Sequence, residues 1–151
     1  MGFFRRAAPG PVLRTARLTL RPPQMGDHAA WARLRRDSDA AVLGAITLDN
    51  IRRGPAMSAT VGYWIGQPHA RRGYMREALE AVRAHVFGPL DLSRLEAACL
   101  PENAASRGLL ERCGFKYEGV AQSYLQIAGR WRTHVLYAAL RDDRRGRAEE
   151  G

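Results

Sequence analysis

The sequence is 151 residues long, 46% hydrophobic and 26% charged, which is enough for one domain with a single core and unlike a disordered chain. No apolar run approaches the roughly 20 residues of a membrane-crossing helix, and Met1 to Arg14 holds no apolar stretch of signal-peptide length, so a soluble cytoplasmic protein without a membrane partner is expected. A net charge of +9, carried almost wholly by arginine, admits nucleic acid, ribosome, acidic lipid or a phosphorylated cofactor without choosing among them.

Residues 1–14 read as an irregular lead-in broken by Pro9, Gly10 and Pro11. Arg17 to Arg21 alternates polar and apolar residues, the mark of a half-buried strand, and Pro22-Pro23 stops it. Asp27 is a fitting N-cap for a helix through Trp31 and Leu34 to about Arg36. Ala41–Leu48 and Ala59–Ile65 form an antiparallel hairpin whose long tip holds Asn50, Arg52, Arg53, Gly54 and Pro55. From about Gly73, the spacing of Met75, Ala78, Leu79, Val82 and Val86 predicts a helix with one apolar stripe, ended by Gly88 and Pro89. Leu95–Leu100 reads as a buried strand. Asn103 opens a helix that runs to Cys113 and is closed by Gly114 at its C′ position. Tyr117–Ile127 and Trp131–Leu140 are strands joined at Ala128-Gly129-Arg130. Residues 142–151 are expected to fray. With no repeat or linker, residues 1–151 read as one mixed α/β domain.

Cys99 and Cys113 are too few for a disulfide framework and lack metal-ligand spacing, so two reduced buried thiols and no metal are expected.

The segment from Gly62 to Ala78 carries the most chemistry. A strand enters a basic, glycine-containing turn that opens a helix. The first amides of that helix have no intrahelical acceptor, and the helix dipole favours an anion in front of them. Gly73 permits close approach of the backbone, and Arg71, Arg72 and Arg76 add positive charge. This predicts a pyrophosphate site. It is neither a Walker A loop nor a dinucleotide fingerprint, because Gly-Lys-Ser/Thr and the three-glycine spacing are both missing.

Four separated motifs resemble the GNAT superfamily, and within it the RimJ/RimL-type N-acetyltransferases. They are Thr15-Ala16-Arg17-Leu18 with Leu20-Arg21-Pro22; Gly62-Tyr63-Trp64-Ile65-Gly66 leading to Arg71-Arg72-Gly73-Tyr74-Met75 and Glu77-Ala78; Asn103 with Ser106, Leu109-Leu110-Glu111 and Gly114-Phe115; and Tyr124-Leu125-Gln126-Ile127 with Gly129, Trp131, His134, Val135 and Leu136. The resemblance implies a GNAT fold, a mixed, mostly antiparallel sheet with helices on both faces. It also implies acetyl-CoA as co-substrate. Backbone groups of Tyr63, Trp64 and Ile65 would bond the pantetheine arm, the amides of Arg71, Arg72, Gly73, Tyr74, Met75 and Arg76 would cradle the pyrophosphate, and Asn103 would touch the pantetheine. The same Asn103 is a natural N-cap, and Tyr63 and Trp64 serve equally as wall residues. Ala70 departs from the superfamily turn, whereas Met75 is a mark of the RimJ-like branch.

The implied reaction is attack of a neutral amine on the acetyl thioester, with both substrates bound together. The base and acid of RimI-like relatives fall on Ala98 and Leu110 and do not transfer. Cys99 lies where RimL-like relatives carry a cysteine thought to assist, and Ser106 faces the same region. These two are the catalytic candidates, with buried packing and helix-surface hydrogen bonding as their alternatives. His134 reads as a structural hydrogen bonder or a base. An α-amine with a pKa near 8 is about one-tenth neutral at pH 7, against about four in ten thousand for lysine. That difference favours a protein N-terminus as acceptor, such as that of a ribosomal protein, with ribosome association a further expectation. The alternatives are a non-catalytic acyl-CoA-binding relative, an acetyltransferase of small-molecule amines, and a basic nucleic-acid-binding module, which lacks an aromatic platform. Specific DNA is not an expected partner, and the oligomeric state stays open. Between Arg36 and Ala41 the family's second helix and second strand are missing, which would leave an open sheet edge and an open acceptor groove.

Overall fold

The computed structural model describes residues 10–23 and 42–142. Two short strands, β1 (Leu13–Arg14) and β2 (Thr19–Leu20), pair antiparallel. A five-stranded sheet follows from β3 (Gly44–Arg52), β4 (Ser58–Ile65), β5 (Arg94–Cys99), β6 (Lys116–Ile127) and β7 (Arg130–Leu140), in the spatial order β3-β4-β5-β7-β6. Helix α1 (Tyr74–Phe87) connects β4 to β5, and α2 (Ala104–Arg112) connects β5 to β6. All pairings in the large sheet are antiparallel except β4 with β5. A parallel pair needs a crossover, and α1 supplies it.

The core lies between this sheet and both helices. Register places Ala59 and Val61 of β4, Leu95, Ala97 and Cys99 of β5, and Val135, Tyr137 and Ala139 of β7 on one face. They form one buried cluster with Leu79, Val82 and Val86 of α1 and Leu110 of α2, so the predicted stripe of α1 is the face it buries. The helix expected at Asp27–Arg36 lies outside the described residues. On the other face Ser58, His134 and Ala138 are themselves buried. Cys99 and Cys113 are both free and buried.

Three local expectations are corrected. The lead-in ends earlier than residue 14, because Leu13-Arg14 pairs with Leu20 and Thr19. The strand expected over Arg17–Arg21 shrinks to Thr19–Leu20, since Arg17 is drawn to α1 as described below. Strand β3 begins at Gly44 and continues to Arg52. A register irregularity between Asp49 and Arg52, with Asn50 at φ 49°, lets the pairing resume at Arg52↔Ser58. The long tip therefore contracts to residues 53–57.

Other boundaries follow the local chemistry. Ala128 and Gly129 both have positive φ (50° and 77°), the two-residue turn that matches strand twist. Gly114, at φ 81°, donates to Glu111 O while Phe115 donates to Leu110 O, which closes α2 in a Schellman motif. No strand lies on the outer side of β3 among the described residues.

Candidate active site

The site begins where the sheet stops being continuous. Strands β4 and β5 pair only at Ser58↔Arg94, Ala59↔Leu95 and Thr60↔Glu96, yet β4 runs on to Ile65 and β5 to Cys99. Beyond Thr60 the ladder partner of β4 among the described residues is β3 alone, through Leu48↔Val61, Ile46↔Tyr63 and Gly44↔Ile65. The β5-facing edge of residues 61–65 is thus left for another extended group. The approach of β3 to this segment is close enough to need a glycine, because a Cβ on Gly44 would stand 2.3 Å from Trp64 O.

Both helices start at the carboxyl end of this split. After β4 the chain makes a 3-10 turn at Gln67–His69 and then enters α1. Arg71 (φ 61°) and Gly73 (φ 79°) are left-handed on either side of Arg72, a sequence of turns that points successive amides inward. Gly73 is the N-cap and offers no side chain. The first closing bond of the helix runs from Glu77 N to Gly73 O at 3.0 Å, so the amides of Tyr74, Met75 and Arg76 have no intrahelical acceptor. The Arg71 and Arg72 side chains are exposed beside them, whereas Arg76 is paired with Glu80 at 3.0 Å. Free amides and exposed arginines at the start of a 14-residue helix make a cradle of the shape and charge that suit an anion.

The N-terminal segment braces this cradle. Glu77 accepts from Thr15 Oγ1, Arg17 N (2.8 Å) and Arg17 Nε (2.7 Å). Arg17 also donates to Arg72 O at 3.0 Å and lies over the Tyr74 ring, 4.6 Å from its centre. The hydrogen bonds from Thr15 and Arg17 hold the Glu77 carboxyl below its ordinary range. Sequence reasoning marked Thr15, Arg17 and Glu77 as a pattern but assigned them no role, because a pairing 60 residues apart leaves no trace in a single sequence.

Across the split from β4 stands the first turn of α2. Asn103 caps it, its side chain accepting from Ser106 N at 3.1 Å. This turns the Ser106 hydroxyl toward Tyr63, whose oxygen lies 2.6 Å away, and Cys99, the last residue of β5, lies on the same face of the sheet. Tyr63, Cys99 and Ser106, from three different elements, meet on the helix side of the split. Burial pushes the Tyr63 hydroxyl up to about 12, only partly opposed by Ser106. Burial likewise raises Cys99, with Ser106 and Arg107 opposing it. Both are therefore neutral at physiological pH.

Trp64 alternates to the other sheet face, where it is 40% exposed beside Ala45. Ile65 closes β4 against Gly44. His134 lies on β7, buried, its Nδ1 2.9 Å from Arg132 O. No described helix is long and apolar enough to cross a membrane, and no group of His, Cys, Asp or Glu among the described residues is arranged to hold a metal.

With this geometry established, the chain's similarities are specific. Residues 28–116 match the acetyltransferase (GNAT) domain family. The chain is 38% identical, over 102 residues, to the ribosomal protein uS5-alanine N-acetyltransferase of Escherichia coli, covering 68% of this chain and 53% of that one. Among solved structures it resembles the ribosomal-protein-S5-alanine acetyltransferase from Vibrio fischeri (33% identity, TM-score 0.66, covering 70% of this chain and 57% of that one). It also resembles Mycobacterium smegmatis RimJ in complex with CoA-disulfide (28% identity, TM-score 0.75, covering 87% and 86%). The chain spans 53% and 59% of the lengths of two curated relatives that it matches.

Proposed function

From a chain that belongs to the GNAT acetyltransferase family and has its fold, we propose an enzyme that transfers an acetyl group from acetyl-CoA to an amine, the N-terminal α-amine of a protein being the acceptor. The observation that carries this reading is the split between β4 and β5, with the anion cradle of α1 at its mouth and the Tyr63–Ser106–Cys99 group inside it.

The residues fit the co-substrate. The amides of Tyr74, Met75 and Arg76, with the Arg71-Arg72-Gly73 turn, hold the pyrophosphate, and the free edge of Tyr63, Trp64 and Ile65 holds the pantetheine arm as a neighbouring strand would. A side chain on Gly73 would crowd this approach: its Cβ would sit 3.3 Å from Arg17 Nη2, in a left-handed conformation. Asn103 positions Ser106 through the cap and keeps its amide nitrogen for the pantetheine. Bound acetyl-CoA supplies an activated thioester. A backbone amide at the end of β4 polarises the acetyl carbonyl. Tyr63, with its hydroxyl near 12, is a poor acid but a dependable donor. Donating to Ser106, it leaves the Ser106 proton free for the departing sulfur. Cys99, a neutral thiol, lines this pocket and is no nucleophile in this scheme.

The α-amine acceptor is supported by the acid-base chemistry, since among the described residues no carboxylate is placed at the split to neutralise a lysine. It is also supported by the two relatives named for alanine acetylation of a ribosomal protein. Work on a ribosomal protein places the enzyme in the cytoplasm, in at least transient contact with the ribosome.

The test is thiol release from acetyl-CoA across Ala- and Ser-initiated peptides, lysine peptides and small amines. Turnover is expected with the peptide N-termini. Tight acetyl-CoA binding with no thiol release from any amine would replace this reading with that of a non-catalytic acyl-CoA binder.

A further inference from the structure

We propose that His134 is the base of this reaction, taking the proton from the attacking amine nitrogen at its Nε2; the inference rests on the acetyl-transfer reading above. Its observations are separate from the cofactor site. Arg132 O can only accept a hydrogen bond, so the Nδ1 of His134, 2.9 Å away, carries the proton. A neutral imidazole protonated at Nδ1 has its lone pair at Nε2, and Nε2 has no hydrogen-bond partner among the described residues. The Tyr124 ring, 5.7 Å away and tilted by 57°, holds the imidazole plane.

Register places His134 at the carboxyl end of β5, level with the split. Cys99 pairs with Val135, so His134 is one residue further toward the carboxyl end of β5 and one strand over. Alternation turns it to the face opposite Cys99, the face of Ala98 and Trp64. The helix side is filled by Tyr63, Ser106 and the core. An amine therefore arrives from the outer face, where Trp64 is exposed and Ala98 offers no base. The groups around the imidazole do not compete for the proton. Arg132, on the same face of β7, is engaged by Glu102 at 2.5 Å, Ala121 is the cross-strand neighbour on β6, and Tyr124 contributes a ring.

The step balances. As the nitrogen–carbon bond forms, the nitrogen's proton passes to His134 Nε2 and on to solvent. The carbon–sulfur bond breaks, and the sulfur leaves as a thiolate that regains one proton through the Ser106 hydroxyl.

The discriminating variant is His134→Asn, whose Nδ2 keeps the donor to Arg132 O and removes Nε2. Expected are unchanged acetyl-CoA affinity and melting temperature, a kcat lower by about 10²- to 10³-fold, and partial recovery with added imidazole. A structural role would move the melting temperature or the affinity and would not respond to imidazole. A kcat within about twofold of wild type would overturn the assignment, whereas absence of thiol release by the wild-type protein would remove the acetyl-transfer reading and this one together. Independently of any variant, nitrogen NMR of the wild-type protein should show His134 protonated at Nδ1; an Nε2–H tautomer would overturn the proposal.

Discussion

Arg17 Nε donates to Glu77 Oε2 at 2.7 Å, and this contact ties the turn between β1 and β2 to the first turn of the helix behind the cradle. A second Arg17 nitrogen reaches Arg72 O inside the cradle turn. One guanidinium thus fixes both the helix and the loop before it. Arg17→Ala is expected to weaken acetyl-CoA binding by about tenfold while leaving kcat at saturation nearly unchanged, read by calorimetric titration and steady-state kinetics.

The same contact has a pH signature. The Glu77 carboxyl is held below its ordinary value by Thr15 and Arg17. A depressed carboxyl contributes stability that is present above its unfolded pKa, about 4, and is lost as pH falls through the folded value. Wild type should therefore melt above Glu77→Gln near neutral pH, and the two melting curves should converge in acid. A gap that persists at pH 2 would contradict this origin.

Gly73 separates strain from charge. Gly73→Ala places a Cβ in a left-handed residue, at a cost of about 1–2 kcal/mol, and should lower acetyl-CoA affinity by about an order of magnitude. Gly73→Asp adds a carboxylate in front of the same amides and should abolish binding. Equal affinities for the two variants would argue against an anion in the cradle.

Ser106→Ala removes the hydrogen-bond partner of Tyr63. A loss of about a hundredfold in kcat is expected with acetyl-CoA affinity kept. Tyr63→Phe acts through the same hydroxyl, so the double variant should lose little more than either single one. Full additivity would show that the two do not act as a pair.

The core gives a stability check that is independent of chemistry. Leu79 is fully buried between α1 and the sheet, and Leu79→Ala should cost about 2–5 kcal/mol in chemical denaturation. Asn103→Ala, which deletes the cap of α2, should cost about 1 kcal/mol.

Features written in consecutive residues were legible in the sequence. The Ala128-Gly129 turn, the Asn103 cap, the Gly114 closure and the stripe of α1 each follow from a local rule, and the structure has them all. The strand-turn-helix after Gly62 was legible for the same reason, and with it the cradle. What escaped was decided by distant partners. The pairing of Leu13-Arg14 with Thr19-Leu20 depends on a turn whose Thr15 and Arg17 are held by α1. The extension of β3 to Arg52 depends on an irregularity that no residue pattern announces. The meeting of Tyr63, Cys99 and Ser106 depends on where the parallel ladder stops, and strand periodicity carries no information about where neighbouring strands part.

The three-pair junction of β4 with β5 also bears on how the molecule assembles. The β3–β4 and β6–β7 hairpins join neighbours in sequence, whereas β4 meets β5 only after the chain has run through α1. Short-range closures are entropically cheap and precede long-range ones. The expected order is two early hairpin nuclei and a late central weld. The crevice proposed for the coenzyme is the unsealed end of that weld, so on that reading the place where the nascent chain is last to knit together is also the place that the finished protein keeps open for its guest.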